Sequence, residues 1–310
     1  MKKIFYVAAI AFLFFSCKKD HKQPGNTTKL YDVKFNVTGF SQSISSVNIS
    51  TNGLKTNTAP SSPGYLTDLY YLVYDANGKI VTEVDMKSDS SSFGTLSDKL
   101  AAGTYSFFFI GSHGKLALGP DIGYSNNFFY DDGSSTPRGN WDDTFFKSLK
   151  LTVSSAGINQ AITLNRIVGE LQVTLLDNVP ASAAKLKLDI DSEIATYRYY
   201  PITTDTTYAY TDPTGGNTIK SSVTYTIPTA AIGTSNFSVY DILLNTYKPF
   251  SVTITCLDAS NNVIATKTVS NVRCQKNTRT ILSGDLFGSE TGFGVALNNQ
   301  WDPTINYQQF

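Results

Sequence analysis

Apolar residues in this chain alternate with polar ones far more often than they recur at helical spacing. Tyr31, Val33, Phe35 and Val37 alternate with Asp32, Lys34 and Asn36, which predicts an opening strand half-buried in a sheet. Val47 and Ile49 suggest a second. Residues 69–74, LYYLVY, form an apolar run of strand length. Asp75-Ala-Asn-Gly78 then makes a tight turn and residues 79–84 return, a hairpin signal. Leu100-Ala-Ala-Gly103-Thr-Tyr105 leads from a tight turn into a strand over 106–110, and Leu149, Leu151 and Val153 alternate again.

At residues 160–176, QAITLNRIVGELQVTLL, two strand patterns meet. Ile162 and Leu164 end one, Asn165-Arg166 interrupts, and after Gly169 the residues Leu171, Val173 and Leu175 share one face. The expected reading is the last strand of one β domain passing into the first strand of another. Downstream, alternation recurs at Leu186, Leu188 and Ile190, at Val223, Tyr225 and Ile227, and at Phe250, Val252, Ile254 and Cys256. Further runs cover 237–244, 263–269, 281–282 and 293–297, and residues 195–200 are either a strand or an exposed aromatic edge. The fold class predicted is all-β, two tandem sandwiches over residues 30–164 and 165–310. Few helices are expected.

Composition agrees. Hydrophobic residues are 41% of the 310, enough for real cores, and aromatics 13%, which suits sheets. Lys+Arg and Asp+Glu are both 25, so nothing in the charge favours nucleic acid. With two histidines and three cysteines, a metal site built from them is not expected, and no cofactor is called for.

Residues 1–17, MKKIFYVAAIAFLFFSC, carry a Lys-Lys start and a short apolar stretch, the pattern of a signal peptide. Phe14-Phe15-Ser16-Cys17 resembles a bacterial lipobox, with Phe14 where the strict pattern has Leu. Cys17 is therefore the expected lipidation site, acylated and inserted in the outer membrane. Residues 18–29, KKDHKQPGNTTK, read as a flexible tether. Asp20 hints at export to the cell surface.

Residues 113–143 form a long Gly/Asn/Asp-rich segment carrying Tyr124, Phe128, Phe129, Tyr130 and Trp141. These rings are either a patch that stacks on a glycan or meets a partner, or a lid folded back on the core. Cys256 and Cys274 are either a disulfide, which an envelope protein can hold, or two buried thiols. No phosphate-binding glycine loop, GxSxG or HExxH occurs, and no catalytic residues are expected.

The order of features resembles the fimbrillin superfamily of Bacteroidetes pili, including its FimB-like anchor proteins. The residues that carry the resemblance are Leu164-Asn-Arg166-Ile-Val-Gly-Glu-Leu171 and Asn277-Thr-Arg279-Thr-Ile-Leu282-Ser-Gly284-Asp-Leu-Phe287, followed by Phe293 and Trp301. The resemblance implies two transthyretin-like sandwiches, a lipid anchor in the outer membrane and fimbrial partners joined by strand donation. In that family an Arg-specific protease frees an N-terminal strand. Here the first arginine is Arg138, so the opening strand is expected to stay and the chain to act as an anchor or adhesion subunit. A glycan-binding surface lipoprotein is the alternative.

Overall fold

The computed structural model describes residues 28–41, 66–120, 126–130, 139–199, 218–288 and 294–298. Among them the regular structure is strand, apart from one short 3-10 turn at Thr229–Ala231. The chain is all-β, as its alternation predicts. Val47, Ile49, the signal peptide and the tether lie outside the described residues.

Seven strands build a first unit: β1 (Leu30–Ser41), β2 (Asp68–Tyr74), β3 (Ile80–Lys87), β4 (Thr95–Ala101), β5 (Gly103–Ser112), β8 (Thr144–Val153) and β9 (Ile158–Arg166). Their order is β3-β2-β5-β8-β9-β1-β4. The sheet turns a corner between β8 and β9, which pair only at Phe145–Arg166 and Phe146–Asn165. Four strands, β3-β2-β5-β8, thereby face three, β9-β1-β4, across one core. Val33, Phe35 and Val37 point into it with Leu69, Tyr71, Val73, Phe107, Phe109, Ile162 and Leu164. The turn after β2 places Gly78 at φ +76°, which glycine adopts freely. Asp75 stabilises it by accepting the N–H groups of Asn77 and Lys79, both at 2.9 Å.

The second unit repeats this topology. Its strands are β10 (Gly169–Leu175), β11 (Lys185–Ile194), β13 (Thr218–Thr226), β14 (Phe237–Leu243), β15 (Phe250–Leu257), β16 (Val263–Val272) and β17 (Arg279–Gly284), joined by β18 (Gly294–Asn298). One sheet runs β13-β11-β15-β16 and the other β14-β10-β17-β18. In each unit the first strand lies parallel to the seventh, β1 to β9 and β10 to β17, and antiparallel to the fourth. In strand β15 the alternation sets which face is buried: Phe250, Val252, Ile254 and Cys256 are buried, while the residues between them are half-exposed.

A third core joins the units. β2 is buried on both faces, which explains its unbroken apolar run. Leu69, Tyr71 and Val73 face the first core, whereas Tyr70, Leu72 and Tyr74 face the joint. A small sheet of β6 (Leu116–Pro120), β7 (Asn126–Tyr130) and β12 (Tyr197–Tyr199), ordered β12-β7-β6, packs there. Two of its strands, β6 and β7, lie within the Gly/Asn/Asp-rich segment 113–143. The short β6 and β7 carry too few residues to show a period, and β7 also pairs with β12, some seventy residues on.

Candidate functional site

The two segments that carry the family resemblance are brought together at the joint. Arg166, at the end of β9, is buried with its guanidinium against Asp143. Its Nε donates to Oδ1 at 2.6 Å and one terminal nitrogen to Oδ2 at 2.7 Å. Its other terminal nitrogen donates to the Asn277 side chain at 2.7 Å, and the group lies 4.8 Å from the centre of the Phe145 ring. One arginine thus ties the segment before β8, the link between the units and the turn before β17. The Asn277 N–H donates to Val168 O at 2.9 Å, and the Glu170 N–H to Thr278 O at 3.0 Å. Gly169 fits because a Cβ there would stand 2.6 Å from the Gln275 carbonyl oxygen. Asn277 takes φ +55°, a conformation asparagine tolerates better than most residues. Next to this contact, Glu170 and Arg279 are partners across β10 and β17, with Arg279 Nε donating at 2.8 Å. Burial pushes the Glu170 carboxyl up, and the Arg279 charge opposes that push.

Glu193 sits deeper in the same joint. Its Oε1 accepts the backbone N–H groups of Ile194, Leu244 and Asn245 at 2.9, 2.9 and 3.0 Å. Its Oε2 has no hydrogen-bond partner. Burial raises its pKa to about 8, against the lowering effect of those N–H groups. His113 and Asp142 meet nearby at 3.2 Å, and that hydrogen bond raises the histidine's pKa.

For two of the five rings at 113–143 this geometry favours the lid over the patch. Phe128 and Trp141 are core residues, 0% and 6% exposed. Trp141 donates its indole N–H to Ile194 O at 2.8 Å, and Phe128 packs against Trp141, Phe146, Tyr197 and Tyr199. Rings so enclosed present no face to a sugar. They are buried because the outer faces of β2 and β5 are themselves aromatic and need covering. Phe129 is half-buried and Tyr130 ends β7, while Tyr124 lies outside the described residues. Residues 197–199, left open by the sequence, are strand, with Tyr197 and Tyr199 buried in the same cluster. Cys256 and Cys274 are both free and buried in the core between the second unit's sheets, with burial pushing the thiols up to about 11 and about 12. Cys17 lies outside the described residues.

Residues 127–309 match the model of DUF6562, a family of unknown function, over more than half of the chain. The chain belongs to the DUF6562 family. No curated protein matches it. Solved structures similar to this DUF6562 member include a candidate adhesin from Bacteroides thetaiotaomicron, 12% identical, covering 88% of this chain and 98% of that one at a TM-score of 0.49. The fimbrial anchor protein Mfa2 from Porphyromonas gingivalis is 14% identical, with 82% and 90% covered and a TM-score of 0.46. A fimbrial assembly protein from Parabacteroides distasonis is 11% identical, with 86% and 95% covered and a TM-score of 0.42.

The opening strand completes the picture of the joint's surroundings. β1 pairs with β4 from Leu30 to Asn36 and with β9 from Val33 to Ser41. It is an interior strand, held on both sides, and Val33 and Phe35 are fully buried. Removing it would open a groove between β4 and β9.

Proposed function

We propose that this DUF6562 member is a non-enzymatic, fimbrillin-like surface protein, dividing into domains at 164/165. It is held in the outer membrane through a lipid on Cys17 and anchors or assembles a pilus or adhesive fibre. The observation that carries the reading is β1 itself. It is locked between two strands, and no arginine precedes Arg138. An Arg-directed cut cannot remove it, so the chain keeps both its first strand and the tether to the lipid. That suits a subunit fixed at the membrane end of an assembly better than one that polymerises by losing the strand. The two resemblance segments add support, because they meet physically at the Arg166–Asn277 contact.

The test is the mass and N-terminal state of the protein extracted from native membranes. A diacylated chain beginning at Cys17 and retaining residues 30–41 is expected, and Cys17→Ala should release the protein from the membrane fraction. A membrane-derived chain that has lost β1 would overturn the anchor role.

A further inference from the structure

Among the described residues the two units differ in one strand. In the second, four strands, β13-β11-β15-β16, face four, β14-β10-β17-β18. In the first, β3-β2-β5-β8 face only β4-β1-β9. β18 lies antiparallel on the outer edge of β17, and the corresponding edge of β9, residues 158–163, carries no strand among the described residues.

The inner face of β8 shows the consequence. Leu149 is opposite Phe107, and Leu151 opposite Tyr105, so both point toward the core. Yet Leu149, Leu151 and Ile158 are only partly buried. In the second unit the inward residues Val269 and Val272 of β16 are 9% and 0% exposed. Lysine marks the same place in both units. Lys267 is opposite Ile254 on β15, and Lys147 opposite Phe109 on β5. Lys267 donates its ammonium to Asp285 O at 2.5 Å and Gly288 O at 3.5 Å, on the chain that leads from β17 toward β18. The Lys147 ammonium has no hydrogen-bond partner among the described residues.

We propose that the outer edge of β9, with Lys147, Leu149 and Leu151 beside it, accepts a strand from another chain. The partner is an extended segment antiparallel to β9 and apolar at every second residue. A turn before it offers carbonyl oxygens to Lys147, as the chain before β18 does to Lys267. An open edge of this kind supplies backbone hydrogen bonds, and the half-covered leucines supply selectivity. β1 stays in place throughout. The proposal rests on the assembly role above and names its acceptor.

Residues 285–300 serve as the probe. A second copy of this segment, followed by a Gly-Ser linker, is inserted into the full chain directly before Lys29. An antiparallel strand on β9 would end beside Ile158, which pairs with Val33, so the linker has only β9 to cross and the effective concentration is high. Exchange of those amides of 158–163 whose N–H points away from β1 should slow by at least about tenfold relative to the unmodified chain. Lys147→Ala should reverse much of that gain. So should aspartates in place of Val295 and Leu297 in the inserted copy alone. The proposal is overturned if those amides are already slow in the unmodified chain, if the insertion leaves them unchanged, or if it protects 80–87 or 95–101 instead. None of these outcomes touches the membrane-anchor reading, which is decided by the mass measurement.

Discussion

Arg166 and Asp143 are 1% and 0% exposed at their side chains, so each is the other's replacement for water. Breaking such a pair from one side leaves a buried charge and costs about 3–5 kcal/mol. Asp143→Ala should lower stability by that amount in urea unfolding, whereas substitution of the exposed pair Lys99 and Asp32 should change little. Glu193 makes a prediction with a sign. Its folded pKa, about 8, lies above the ordinary 4.5. The folded chain therefore holds a proton that the unfolded chain releases. Its contribution to stability is complete below about pH 4.5, falls as pH rises, and levels off above about 8. Asp241, raised to about 7 by burial, acts in the same direction. Glu193→Gln should flatten the decline between pH 5 and 8, and an unchanged slope would show that the ionisation lies elsewhere.

At the scale of elements, the small sheet β12-β7-β6 is held mainly by rings rather than by length. β12 has three residues and pairs with β7 at only Tyr197, Arg198 and Tyr199. Trp141 caps this layer with its ring, against Phe128 of β7, and its N–H group ties it to the end of β11. Trp141→Ala should cost about 3–5 kcal/mol, the usual range for emptying a large buried aromatic site. It should also raise exchange at 126–130 and 197–199 before any effect on β1. Loss of binding to a glycan with stability unchanged is the opposite result, and would return this residue to a ligand site.

At the scale of the molecule, the joint core draws residues from both units and from the link. Tyr70, Phe108 and Phe146 come from one side, Ile242 and Leu244 from the other, and Ile167 and Val168 from between. A shared core of this kind makes independent unfolding of the units costly, because separating them exposes aromatic surface on both. Thermal unfolding of residues 28–310 should give one cooperative transition, with calorimetric and van't Hoff enthalpies in agreement. Two resolved transitions would mean that the joint contributes little.

Much of this was legible in the residues, because each element's alternation is a local property. Phe250 to Cys256 on one face fixes which side of β15 is buried, whatever it packs against. The interruption at Asn165-Arg166 and the glycine at 169 likewise mark the link between two strand patterns. What the residues left open was every feature that depends on a distant partner. LYYLVY has no alternation because β2 is covered on both faces, and only the fold supplies the second cover. Phe128 and Trp141 could face solvent or core, and β12, β5 and β8 decide for core. The pairing of β1 with β9, more than a hundred residues away, and the outer edge of β9 that no described strand covers follow from strand order, which no local pattern encodes. Side-chain alternation is set by the geometry of one strand, whereas neighbours in a sheet are chosen by the folding of the whole chain.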